Sequence, residues 1–211
     1  MSAAPPKAAG PGPALQLVGC SILRKELDLL LRKNGWQVER RLLDSALHYY
    51  LNRLSVELEE SLAAGEREGR GSVVLYGCCH PLIDRILRKH GAVRTRGQNC
   101  IAMLLGQRRF MEELSRGAYF LLEEWALGWE PMITATFGKN PAVVREIFQS
   151  SHRLIIALRT PCSGDFTAAA EAAARSVGLP LEWMDADLDV LEAALAEALS
   201  RARAGAPGSQ A

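Results

Sequence analysis

The sequence has almost no net charge, no long apolar run and few cysteines, and each shortage excludes a class of protein. Its 25 Lys and Arg residues are balanced by 24 Asp and Glu residues, so no basic field exists to attract nucleic acid. No apolar run approaches the ~20 residues that a membrane span needs. Five cysteines in 211 residues do not make a disulfide scaffold, and they favour a reducing, cytoplasmic location.

Several common functional motifs are also absent from the sequence. There is no CxxC pair, so the usual zinc-finger and ferredoxin spacings are missing. A glycine-rich GxGxxG or Walker pattern, which would indicate a nucleotide site, does not occur. Neither the GxSxG elbow nor HExxH occurs, so a hydrolase function has no motif to support it.

Short apolar runs alternate with longer helical patterns along most of the chain. This alternation is typical of βαβ units, and it predicts an α/β fold with a mostly parallel sheet flanked by helices. The composition supports a sizeable core, because 48% of the residues are hydrophobic. The strand candidates are residues 15–19, 36–42, 72–77, 153–158 and 181–184.

The domain organisation follows from the same pattern. Residues 1–13 and 204–211 are rich in Pro, Gly and Ala, and we expect them to be disordered tails of one domain, 14–203. The alternation is unclear between about residues 100 and 150. A second arrangement therefore fits, in which two small Rossmann-like lobes, 14–98 and 140–203, flank a helical insert, 99–139.

Cysteines lie where three of the predicted strands end. Cys20 follows the first strand, Cys78 and Cys79 follow SVVLYG, and Cys162 follows RLIIALRT, whereas Cys100 opens a helical pattern. The carboxyl ends of parallel strands line one crevice, so these thiols are expected to converge there. Thiolates are soft ligands, and the pattern predicts a zinc or iron–sulfur site.

The predicted ligands of this site are Cys20, Cys78 and Cys100, with Cys79, His80 or Cys162 completing or flanking it. Only one of Cys78 and Cys79 is expected to face the crevice, because successive strand residues point to opposite faces.

Two other functions fit the same residues. A metal-free thiol enzyme would use Cys100 as its nucleophile, activated at a helix start, and His80 as its base. A non-catalytic module would bind a small molecule in the crevice while its thiols merely fill the core.

The loop after the fourth strand candidate, 153–158, has the small residues that an anion site needs. The backbone N–H groups of Cys162, Ser163 and Gly164 could hold the phosphate of a cofactor. We favour the simpler interpretation that Ser163 or Asp165 caps the next helix.

Five segments together resemble the domain of unknown function 1638 family of bacteria and methanogenic archaea: CSILRKEL, DSALHYYL, VVLYGCC, RGQNCIAMLLG and GAYFLLEEW. The resemblance covers roughly residues 15–190 and implies a two-lobed α/β protein. Genes of this family often lie beside those of corrinoid-dependent methyltransferases. The resemblance therefore implies a role in one-carbon metabolism, with a corrinoid protein or a methyltransferase as the partner and a small molecule as the ligand.

The family pattern falls on Cys20, Cys78 and Cys100, with His48 as a weaker match. Two departures stand out. The family carries His-Asp before its third cysteine, whereas this chain has Gln98 and Asn99 there. The family also carries a small residue after its second cysteine, whereas this chain has Cys79 there.

Overall fold

A computed structural model describes residues 14–204; the predicted tail 1–13 and residues 205–211 of the predicted tail 204–211 lie outside this range. The described part contains two parallel sheets flanked by helices, so the predicted α/β fold is confirmed. No helix between residues 14 and 204 combines the length and the apolar character needed to cross a membrane.

The first sheet has four parallel strands in the order β2-β1-β3-β4. The central strands β1 and β3 are nearly continuous apolar runs, as expected of strands that are covered on both faces. β2 lies at an edge and exposes charged side chains. The four strands are β1 (Leu15–Cys20), β2 (Glu39–Leu43), β3 (Gly71–Leu75) and the short β4 (Val93–Arg94).

The second sheet has three parallel strands in the order β5-β6-β7. Its central strand β6 is buried along almost its whole length. The strands are β5 (Ala118–Leu121), β6 (Leu154–Arg159) and β7 (Leu181–Asp185). Residues 99–139, the segment expected as a helical insert, contain strand β5 in addition to helices.

Ten α-helices connect and cover the strands of the described residues. Their ends follow local signals: Gly35 adopts a left-handed conformation after α1, and the Asn99 and Asn140 side chains cap α4 and α8. They are α1 (Arg24–Asn34), α2 (Leu51–Arg67), α3 (Ile83–Lys89), α4 (Cys100–Leu105), α5 (Gln107–Ser115), α6 (Glu123–Leu127), α7 (Trp129–Phe137), α8 (Pro141–Ser151), α9 (Thr167–Val177) and α10 (Asp189–Ala204).

The two sheets share one hydrophobic core. Leu17 and Leu75 of the first sheet and Ile156 of the second belong to the same buried cluster, together with Leu191 and Leu195 of α10. Farther along, Ala198, Leu199 and Ala202 of α10 pack against the first sheet. Helix α10, the last helix of the described chain, therefore covers the first sheet, whose central strand β1 begins the described chain.

Candidate functional site

A cavity of about 150 Å³ opens at the carboxyl ends of β1 and β3. We call it the thiol pocket, because three cysteines line it. The carboxyl ends of strands are where ligands bind in open α/β sheets. Its polar lining includes Cys20, His48, Tyr76, Cys79, Cys100 and Trp125.

Separate segments of the chain bring the three thiols together. Cys20 is the last residue of β1, Cys79 lies in the loop after β3, and Cys100 is the first residue of α4. The side chain of Asn99 accepts a hydrogen bond from the N–H of Ala102 at 2.8 Å, which fixes the start of α4. The loop after β3 is tied to the loop before α4, because Cys78 N–H donates to the Gln98 carbonyl at 2.7 Å.

The expectation for Cys78 is wrong, because this residue points away from the pocket. Its side chain is exposed, and its Sγ lies 3.5 Å from Nη1 of Arg94 in a separate surface depression. Cys79 occupies the pocket instead. The side chains of Cys78 and Cys79 point in different directions, as expected. The family pattern matches Cys78, but the residue inside the pocket is Cys79.

His80 and Cys162 do not line the pocket. His80 is buried, and its Nδ1 accepts a hydrogen bond from the N–H of Leu82 at 3.0 Å, so it stabilises the loop before α3. Cys162 lies in the loop after β6, near Glu26. The histidine that does reach the pocket is His48.

Desolvation controls the protonation of the pocket. Burial raises the pKa of Cys20 to about 12, and it also raises the pKa of Cys79. Burial, followed by the proximity of Cys20 and Cys79, raises the pKa of Cys100 even further. Burial lowers the pKa of His48, so its imidazole is neutral at pH 7. Without a bound cation, the pocket therefore holds three protonated thiols and a neutral imidazole.

A larger cleft of about 550 Å³ adjoins the pocket, between the carboxyl ends of the two sheets. Lys25 and Glu26 of α1 lie on one side of it, and Glu123 lies on the other. Glu26 is buried, and its carboxylate accepts a hydrogen bond from the Thr160 hydroxyl at 2.6 Å. Lys25 Nζ lies 2.8 Å from the Glu123 carboxylate. These two contacts join the sheets across the cleft.

In the loop predicted to hold a cofactor, the backbone N–H groups already donate hydrogen bonds to other groups of the protein. Cys162 N–H donates to the Thr160 hydroxyl, and Ser163 N–H donates to the Thr160 carbonyl. Gly164 N–H donates to the Glu123 carboxylate at 3.1 Å. An anion could bind at Cys162, Ser163 and Gly164 only by displacing these partners. The Asp165 carboxylate accepts a hydrogen bond at 2.9 Å from the N–H of Thr167, the first residue of α9, so it fixes the turn before this helix, whereas the N-cap position is Phe166.

Sequence reasoning missed the role of Tyr76 in the pocket, because this residue belongs to an apolar run that reads as core. Tyr76 and Trp125 each carry a buried polar atom in the pocket: Trp125 Nε1 has no hydrogen-bond partner among the described residues, and Tyr76 Oη has only the weakly accepting Cys20 thiol. No pattern in the sequence signals such atoms.

The thiols are close, but they do not form a finished metal site. Within residues 14–204, no three or more His, Cys, Asp or Glu side chains are grouped so as to hold a metal ion. The donor type suits a soft metal, whereas the present arrangement does not enclose one.

Comparison with known proteins gives a family but no activity. No curated protein and no solved structure matches the chain. A family model described as a protein of unknown function, DUF1638, matches residues 42–195, which include Cys79, Cys100, His48, Tyr76 and Trp125. The chain therefore belongs to the DUF1638 family of proteins of unknown function.

Proposed function

We propose that the chain binds a soft metal ion or an iron–sulfur cluster in the thiol pocket, with Cys20, Cys79 and Cys100 as ligands. One observation supports this proposal: three thiols from distant segments line one cavity at the carboxyl ends of two adjacent strands. Zinc and iron–sulfur clusters both use cysteine thiolates. Three ligands would leave a position open for a small molecule.

Closing the site requires changes in side-chain conformation and in protonation. A cysteine side chain moves its sulfur by rotation about χ1 alone, so the proposal requires a change of rotamer at the ligand cysteines. The bound form is the thiolate, and each raised pKa means that a proton must leave when the metal enters. The metal therefore supplies the stabilisation of negative charge that the pocket lacks.

Because protons leave when the metal binds, we expect the affinity for the metal to depend steeply on pH. Below the raised pKa values of the three thiols, binding releases one proton for each cysteine that becomes a ligand. The apparent affinity for Zn²⁺ should therefore rise by about tenfold per pH unit for each released proton between pH 6 and pH 8. Competition with a chromogenic chelator measures it, and a flat profile would contradict ligation by these thiols.

The ligand set can be tested with single Cys-to-Ser variants. Reduced protein is titrated anaerobically with Co²⁺, and thiolate ligation is followed by its near-ultraviolet charge-transfer absorption. We expect one equivalent to bind, and we expect Cys20→Ser, Cys79→Ser and Cys100→Ser each to weaken binding at least tenfold. Anaerobic reconstitution followed by iron and sulfide analysis distinguishes a cluster from a single ion.

The chain offers matched controls for this test. Cys78 is adjacent to a proposed ligand but exposed outside the pocket, and Cys162 lies in the loop after β6. Cys78→Ser and Cys162→Ser should therefore bind Co²⁺ like the unmodified chain. Loss of binding in Cys78→Ser with retention in Cys79→Ser would refute the proposed ligand set.

A metal-free thiol enzyme has less support from the structure. Burial raises the pKa of Cys100, which disfavours the nucleophilic thiolate, and His80 bonds to backbone outside the pocket. The role beside corrinoid-dependent methyl transfer stays a prediction, because it depends on the family resemblance alone.

A further inference from the structure

We propose that the thiol pocket also binds a compact, uncharged molecule that carries a hydrogen-bond acceptor, and that Tyr76 and Trp125 recognise this acceptor. The site is the pocket described above, but the inference does not require a metal. It depends on two buried polar atoms, of which one has no partner among the described residues and the other has only a weakly accepting thiol.

The two atoms are Tyr76 Oη and Trp125 Nε1. Tyr76 is only 5% exposed, and both residues line the pocket. Trp125 Nε1 has no hydrogen-bond partner among residues 14–204, and Tyr76 Oη has none there except the Cys20 thiol, which is a weak acceptor. Buried polar groups in folded proteins almost always have a partner, so a molecule inside the cavity is expected to supply one. An indole N–H only donates, and therefore the molecule must present an acceptor.

The lining of the pocket defines the charge of that molecule. No Lys, Arg, Asp or Glu side chain lines it, and a charged ligand would be left without a counter-charge in an enclosed space. Ile22, Leu23, Leu75, Ile101 and Met103 supply apolar walls. The favoured ligand is therefore an uncharged molecule with an apolar body.

The volume of the cavity limits the size of the ligand. At about 150 Å³, it is smaller than the roughly 300–1,000 Å³ of sites for drug-sized molecules. An apolar cavity of about 150 Å³ is known to admit benzene. A single small ring, or an aliphatic molecule of similar size, fits the space, whereas a nucleotide does not.

Pyridine and benzene form a matched pair of probes for this inference. They have the same shape, and they differ by one ring nitrogen that accepts a hydrogen bond. The experiment uses reduced, EDTA-treated, ¹⁵N-labelled protein at pH 8, where pyridine is uncharged. The chain has four tryptophans, and Trp125→Phe identifies which indole N–H signal belongs to Trp125.

We expect pyridine to shift the Trp125 indole N–H signal saturably and to bind at least fivefold more tightly than benzene. Tyr76→Phe removes only the hydroxyl and should reduce pyridine affinity at least threefold. Tyr119→Phe is the matched control, because Tyr119 is also largely buried but packs against Trp129 and Phe148 outside the pocket. It should leave pyridine affinity unchanged.

Tyr76→Phe has a second readout, which does not depend on the probe. Replacing a tyrosine whose buried hydroxyl has only a weakly accepting thiol beside it should leave the melting temperature of the ligand-free protein unchanged or raise it. A clear fall in melting temperature would show that the Tyr76 hydroxyl has a structural partner, and this result would overturn the inference.

Two results with the unmodified chain would also overturn the inference, even if a variant fails to fold. One is a Trp125 signal that does not move at saturating pyridine, which would mean that ordered water alone fills the pocket. The other is equal affinity for benzene and pyridine, which would mean that the cavity is merely apolar. Because this test uses metal-free protein, its failure is distinguishable from failure of the Co²⁺ titration.

Discussion

At the scale of single residues, Gln16 shows how a polar side chain can specify the packing of an apolar strand. It lies in β1 and is completely buried. Its amide donates to the Ser61 carbonyl at 3.0 Å and to the Ser72 hydroxyl at 2.9 Å, and it accepts from Arg41 Nε at 2.8 Å. The single amide thus connects β1 with β2, β3 and α2.

Gln16→Leu tests the contribution of this network to stability. The substitution keeps the volume but leaves the buried Ser72 hydroxyl and Arg41 Nε without the Gln16 amide, while Arg41 Nη2 keeps its bond to Glu68. We expect the free energy of unfolding to fall by about 2 kcal/mol, as measured by urea denaturation. Gln107→Leu, at an exposed position, should change it by less than about 0.5 kcal/mol. Equal stability of the Gln16 variant would show that the network adds nothing beyond packing.

At the scale of secondary-structure elements, the thiol pocket depends on close contact between the end of β3 and the loop before α4. Gly77 makes this contact possible. A Cβ atom at this position would lie 2.2 Å from the Gln98 carbonyl oxygen and 2.5 Å from Asn99 Cα. Both atoms belong to the backbone, so they cannot move without displacing the start of α4 and, with it, Cys100.

Gly77→Ala should therefore disrupt the pocket while the rest of the fold remains. We expect a loss of about 2 kcal/mol in the free energy of unfolding, which is typical of an overpacked site. We also expect Co²⁺ affinity to fall at least tenfold, because Cys100 would be displaced from Cys20 and Cys79. Circular dichroism checks that the fold is retained, and unchanged Co²⁺ binding would mean that the loop position does not matter for the site.

At the scale of the whole molecule, polar contacts join the two sheets across the cleft. Glu123 carries one of them, bound to Lys25 Nζ and to the N–H of Gly164. Burial opposes ionisation of Glu123, but the hydrogen bonds from Lys25 and Gly164 outweigh it and hold its pKa below the usual range. This contribution to stability is present above the unfolded pKa of about 4.3 and is lost as the pH falls through the folded value.

Glu123→Gln should accordingly destabilise the protein in a pH-dependent way. At pH 7 we expect a loss of at most about 1 kcal/mol, because Lys25 is largely exposed and solvent screens the pair. The difference from the unmodified chain should shrink as the pH falls from about 4 toward 3. Urea denaturation across this range measures it, with exposed Glu146→Gln as the control. A difference that stays constant with pH would contradict the role of the charge.

The sequence predicted the α/β class, the central strands and the convergence of Cys20 and Cys100, because these follow from long apolar runs and from strand topology. It did not decide between Cys78 and Cys79, since β3 ends at Leu75 and the irregular loop after it sets their directions. The two-residue strand β4 and the short β5 are too brief to show a periodic pattern. Their existence depends on pairing with β3 and β6.

Packing of α10 against β1 and β3 has a consequence for biosynthesis. Leu15 and Val73 meet their apolar neighbours on α10 only after well over a hundred further residues have been translated. The first sheet thus leaves the ribosome with one face uncovered, and it stays open to chaperones until translation reaches the final helix. A stalled or shortened nascent chain would leave that apolar face exposed, and it would then aggregate or be degraded by quality-control proteases.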